Sequence, residues 1–162
     1  MTATLSRQLN GILTEISIQN FADAVFVLVT QVGKVGNLIQ VSLPATIPLQ
    51  PAPPPDPLYP DVLSLPPPPI AIQLTPLLGH ASSEHIQTLH NLYASQIATI
   101  TWTTEAALPL QMSRKNVIVG IALRKTTPAA EKPELSEEER STFAGIMSMI
   151  QEMLGNKVHA FT

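Results

Sequence analysis

The sequence predicts an α+β domain: about six mainly antiparallel strands in a sandwich-like sheet, with two flanking helices. Three observations carry this expectation. Short apolar runs with strand periodicity recur along the chain, two of them flanking a Gly-Lys-Val-Gly stretch at residues 33–36. The segment "SSEHIQTLHNLYASQ" carries apolar residues at helical spacing. Near the C-terminus the best helix of the chain combines a capping box with a long apolar stripe.

Taken in order, Ile12 to Ile18 ("ILTEISI") alternates apolar and polar residues as a half-buried strand does. Ala24 to Thr30 ("AVFVLVT") is a continuous apolar run with three valines, as in a strand buried on both faces. Asn37 to Leu43 reads as its antiparallel partner. Gly33 and Gly36 would permit positive φ in the turn between them, with Lys34 at the exposed tip. Between Pro44 and Pro69 lie twelve prolines. Proline fixes φ and lacks the ladder donor, so residues 44–69 form an extended insertion with polyproline II character, expected to be mobile. Leu58, Tyr59 and Leu63 are its candidate anchors.

Order resumes with a strand at Ile70 to Leu78, which Pro76 places at an edge or a bend. The helix that follows has Ile86, Leu89, Leu92 and Tyr93 on one side and Ser82 or Ser83 as N-cap. Ile97 to Thr103 ("IATITWT") alternates and is rich in β-branched residues, which predicts a strand. Asn116 to Leu123 predicts another, buried one. In the last helix Ser136 and Glu139 form the capping box, and Glu137, Glu138 and Glu139 fill the positive first turn. Phe143, Ile146, Met147, Ile150, Met153 and Leu154 make the stripe, and Gly155 is read as its αL stop.

Composition bounds the function. The 162 residues suit one domain, 1–162, carrying the proline-rich insertion. The chain is 44% hydrophobic and 13% charged, yet no run reaches the roughly 18 uninterrupted apolar residues of a membrane helix. A soluble protein without a secretory signal is expected. Absence of cysteine excludes disulfides, thiol catalysis and cysteine-bound metal, and it fits a reducing compartment. The net charge is −3, and no Lys or Arg stands between Lys34 and Arg114, which argues against nucleic acid.

No motif points to catalysis. A phosphate-binding loop needs glycine where Leu28 stands and Ser or Thr where Val35 stands. His85 and His90 lie five apart, about 140° round a helix, so they do not converge on a metal; with His80 and His159 they read as solvated. Ser82 and Ser83 lack a nucleophile elbow, and Met147, Met149 and Met153 read as core. No catalytic, cofactor or metal site is expected, and the chain reads as no enzyme. The proline tract supplies the competing function, an adaptor recognised by SH3 or WW-type domains. Its P-x-x-P spacing at Pro51 to Pro54 lacks a flanking Arg or Lys, however, and Asp56 breaks the P-P-x-Y pattern ending at Tyr59.

One family accounts for the order of these elements. "GILTEISIQNF" followed by "VLVTQVGKVGNL" (residues 11–21 and 27–38) resembles the proteasome assembly chaperone 3 family. "LLGHASSEHIQTLHNLYA", "NVIVGIALRK" and the terminal helix are similar to its later segments. Proteasome assembly chaperone 4 shares the leucine-leucine-glycine before the helix; the V-T-Q and G-K-x-G pattern favours the first. The sequence departs from the family in having Leu13 where proline is usual after the opening glycine, and in its long insertion. The resemblance implies a non-catalytic chaperone that dimerises with an assembly chaperone 4-like chain or with itself. It further implies binding to α-type subunits, notably α5, during 20S α-ring assembly, in the cytoplasm and with the nucleus as a second location. Gln31, Lys34 and Val35 are the expected partner contacts. Val32, Val35 and Ile39 are apolar positions expected to need a partner.

Overall fold

A computed structural model of the chain describes residues 2–31, 36–59, 63–107, 114–124 and 135–160. Its first element is one the sequence reading left out. Asn10 (φ 51°) and Gly11 (φ 76°) both adopt left-handed φ, the requirement of a two-residue type I′ turn. Leu9 therefore pairs with Ile12, and β1 (Thr2–Leu9) and β2 (Ile12–Asn20) form a tight hairpin.

The remaining elements are β3 (Ala24–Thr30), β4 (Asn37–Ser42), β5 (Gln73–Leu78), α1 (Glu84–Ala106), β6 (Asn116–Ala122) and α2 (Glu137–Ala160). The six strands form one open sheet in the order β1-β2-β3-β6-β4-β5. Every pairing is antiparallel except the central β3–β6 pair. The α+β class with a mainly antiparallel sheet stands.

Three expectations are corrected. β3 and β4 are not a hairpin: β6 inserts between them and pairs with both. Two apolar strands adjacent in sequence usually pair, but β6 is equally apolar and takes the central place. Gly36 is needed for close approach, because a Cβ there would run into the Ile121 carbonyl. Residues 32–35 lie outside the described residues. Second, residues 97–103 are not a strand but the second half of α1. The hydroxyls of Thr99, Thr101, Thr103 and Thr104 donate to the carbonyls four residues earlier, at 2.7–2.8 Å, which keeps them satisfied inside a helix. Alternation appeared because this part of the helix is buried nearly all round. Third, α2 continues past Gly155, whose φ is not left-handed.

Both helices cover one face of the sheet. α1 is the crossover from β5 to β6 and packs on β4 and β6; α2 packs on β1 and β2. The core between the layers is made by Ile16 and Ile18, Val25, Val27 and Val29, Ile39 and Val41, and Val117, Val119 and Ile121. Facing them are Tyr93, Ile97 and Trp102 of α1 and Ile146, Met147, Met149, Ile150, Met153 and Leu154 of α2. The predicted stripe is thus core. Ser83 caps α1, accepting from the Ile86 N–H at 3.2 Å. The capping box of α2 is reciprocal: the Glu139 N–H donates to Ser136 Oγ and the Ser136 N–H to Glu139 Oε1, both at 3.1 Å. Ser136→Ala is expected to destabilise the fold by about 1 kcal/mol, measured as a shift in urea midpoint at unchanged slope.

The proline segment folds back over the helices. Gln96 of α1 donates to the Pro66 carbonyl at 2.9 Å, and Gln151 of α2 to the Ser64 carbonyl at 3.4 Å. Ile47, Leu49, Leu63 and Leu65 pack against the core, and this strap is what buries the back of α1. Of the expected anchors Leu63 is seated, whereas Leu58 and Tyr59 are exposed on a turn closed by Asp56. β5 is an edge strand, and the register slips between Leu38 and Ile39 opposite Pro76, as proline at an edge requires.

Candidate interaction surface

With helices and strap on one side, the other face of the sheet is left uncovered by the described residues. The register fixes what lies there. One row runs across all six strands as Thr4, Ser17, Leu28, Gly120, Leu38 and Leu78. The next holds Gln19, Phe26, Ile118, Gln40 and Thr75. Phe26, Leu28, Leu38 and Ile118 are half-buried against one another, and Leu13 and Leu78 are 58% and 62% exposed. Gly120 matters to the relief of this face. Leu28 and Leu38 lean over it from either side, occupying the space a side chain would take.

Glu15 is the sole ionisable side chain that the described pairing places on the face between β2 and β5. An apolar centre ringed by Ser17, Gln19, Thr30, Gln40 and Thr75 has the anatomy of a protein–protein interface rather than of a solvated sheet face. Sequence reasoning missed it. The positions it expected to need a partner included Ile39, which is 2% exposed and faces the helices; Val32 and Val35 lie outside the described residues.

Gln31, expected as an exposed partner contact, is half-buried and committed to the fold. Its amide donates to Thr14 Oγ1 at 3.1 Å and its carbonyl accepts the Arg124 N–H at 2.9 Å. Its own N–H donates to the Ala122 carbonyl at 2.8 Å. The side chain therefore ties the ends of β2, β3 and β6 together. Lys34 lies outside the described residues.

The histidines of α1 are not solvated as expected. His85 Nε2 meets Glu139 Oε2 at 2.8 Å, joining the first turns of the two helices. His90 is buried, and Asn37 Nδ2 donates to its Nδ1 at 2.9 Å. The five-residue spacing did exclude convergence of the two on one metal; it carried no information on what packs opposite each. Among the described residues no group of three His, Asp or Glu side chains is placed to hold a metal ion.

These groups set a pH dependence. Burial lowers the His90 pKa from its ordinary 6.5, and protonation at Nδ1 would set it against the Asn37 amide. A group with a depressed folded pKa contributes stability that is present above its unfolded pKa and lost as pH falls through the folded one. Stability should therefore decline as pH falls below about 6.5. Burial works against the charge of Glu139, but the Ser136 N–H and His85 outweigh it and hold its pKa below 4.5, so its contribution is lost only at more acidic pH. Denaturant melts from pH 7.5 to 5.5 check this: the decline should flatten in His90→Gln.

The comparisons with known proteins follow the fold. No protein-family model matches the sequence, and no curated protein matches it. Among solved structures, the chain is similar to one in the crystal structure of a novel chaperone complex for yeast 20S proteasome assembly. The TM-score is 0.54 at 11% sequence identity, over 95% of this chain and 98% of that one. The two chains share a fold. The match runs nearly end to end, so the shared fold spans the sheet and both helices. Among the described residues no helix is long and apolar enough to cross a membrane.

Proposed function

We propose that this chain is a non-catalytic chaperone of 20S proteasome assembly that acts as a dimer with a related chaperone chain, or with a second copy of itself. The open sheet face is the observation that carries the reading. Six strands about 4.8 Å apart, each about seven residues long at about 3.3 Å per residue, present roughly 550 Å² in projection. That is of the order of the about 800 Å² each partner contributes to a standard interface. A related sheet of the same width and polarity is its natural complement. The likeness to a chain of a proteasome assembly complex supports the direction of the proposal.

In this proposal the dimer binds α-type subunits, α5 among them, in the cytoplasm and nucleus while the α-ring forms. Lys34 and Val35 contact the subunit, and Gln31 secures the strand end from which they leave. Purification of the tagged chain from cells, with mass identification of bound proteins, tests it. Proteasome α subunits together with a second small chaperone are expected. The competing adaptor reading is favoured by the exposure of residues 51–59. Recovery of SH3 or WW proteins alone, abolished by Pro51→Ala, Pro54→Ala and Tyr59→Ala together, would replace the chaperone reading with it. These substitutions spare Leu63 to Pro66, which seat on the helices.

A further inference from the structure

Where the carboxyl ends of the parallel strands β3 and β6 meet the first turns of both helices lies a cavity of about 250 Å³. Its walls are largely apolar, with Ile12, Ile86, Leu89 and Ile121 contributing, and His90, Tyr93 and Glu139 enter it. Crevices outside the carboxyl ends of parallel strands are where open sheets with helical crossovers bind ligands. Position alone would carry little. The state of two side chains carries more.

Tyr93 is 1% exposed and His90 8% exposed. The Tyr93 hydroxyl has no hydrogen-bond partner among the described residues. His90 uses Nδ1 to accept from Asn37, which leaves the proton of the neutral ring on Nε2, again without a partner. No side-chain nitrogen or oxygen among the described residues is both unpartnered and sealed from solvent. Both groups therefore open onto the cavity that their residues line. They stand three apart on α1, hence side by side on one helix face. Neither group is sealed from solvent, so a molecule in the cavity can bond to both in place of water.

We propose that this cavity is a binding site for a small uncharged molecule with an apolar body the size of a single ring and a hydroxyl head group. A hydroxyl both accepts and donates, so it can take the His90 Nε2–H and bond to the Tyr93 oxygen at once. Size fits as well, since a dry cavity of about 150 Å³ already accommodates benzene. Charge in the wall is mixed, since Arg124 lines the cavity together with Glu138 and Glu139, and an uncharged guest suits it. The Glu139 carboxylate is 8% exposed in the wall, and burial together with that carboxylate raises the Tyr93 pKa so that the hydroxyl stays protonated. The proposal does not rest on the chaperone reading.

Titration of the full-length, isotope-labelled chain with phenol, toluene and benzoate at neutral pH, followed by NMR, tests it. Phenol should give saturable shifts at the Ile12, Ile86 and Ile121 methyls and at the His90 ring. It should bind at least about threefold more tightly than toluene or benzoate. Tyr93→Phe deletes only the hydroxyl and should weaken phenol binding toward that of toluene, with the bond to His90 remaining. Toluene or benzoate binding as tightly as phenol, phenol binding undiminished in Tyr93→Phe, or shifts away from these residues would overturn the proposal.

Discussion

Trp102→Ala is expected to lower the unfolding free energy by about 3–5 kcal/mol, the range for truncating a large buried aromatic side chain. Trp102 is fully buried, and it is the one tryptophan in the chain. Its Nε1–H donates to the Lys115 carbonyl at 2.7 Å, which ties the last turns of α1 to the start of β6. Lys115 in turn donates from Nζ to the Phe21 carbonyl at 2.9 Å, and the Arg114 guanidinium lies 5.9 Å from the indole ring centre. Truncation opens a cavity and orphans a carbonyl at the joint that places the central strand. Urea unfolding followed by far-ultraviolet circular dichroism measures the loss without the missing fluorophore. A loss below about 1 kcal/mol, the size of an average substitution, would mean that this joint does not hold β6 in place.

Ile118→Asp is expected to weaken dimerisation by at least about a hundredfold while leaving a folded monomer. Ile118 sits between Phe26 and Gln40 in the middle of the open face. In the monomer a carboxylate there still reaches water, so the cost to folding is modest. In a dimer it would be buried without a partner, at a cost of about 3 kcal/mol or more, which corresponds to the stated loss of affinity. Thr4→Asp, on the same face but in the edge strand β1, should change the affinity by less than about fivefold. Size-exclusion chromatography across a dilution series separates the two outcomes. Equal effects of both substitutions would move the interface off the apolar centre.

What the sequence disclosed, and what it hid, divide along physical lines. Signals contained within a few residues were readable: the Ser136–Glu139 capping box, the stripe of α2, and proline at the edge of β5. Asn10-Gly11 was equally local, a type I′ turn between two alternating runs, but it was passed over and β1 with it. The hairpin assigned to β3 and β4 failed because the strand that separates them arrives about eighty residues later, and no local pattern announces it. Residues 97–103 failed for a similar reason. A helix enclosed by sheet, neighbouring helix and strap loses its polar face, and with it the period that would identify it. The candidate surface was hidden twice over. Phe26, Leu28, Leu38 and Ile118 look like core in the sequence, and only the register shows that they face away from the helices. Gln31 was visible as part of a characteristic run, yet its three hydrogen bonds are long-range and so give it a structural role that spacing does not reveal.

The central claim is that the open sheet face pairs with another chain. Sedimentation equilibrium of the wild-type protein tests it most directly, alone and mixed with a related proteasome assembly chaperone chain, at about 20 µM, where micromolar affinity leaves most of the protein paired. The account predicts a dimer, favoured in the mixture and dissociated by Ile118→Asp. A single species of monomer mass both alone and in the mixture would contradict it.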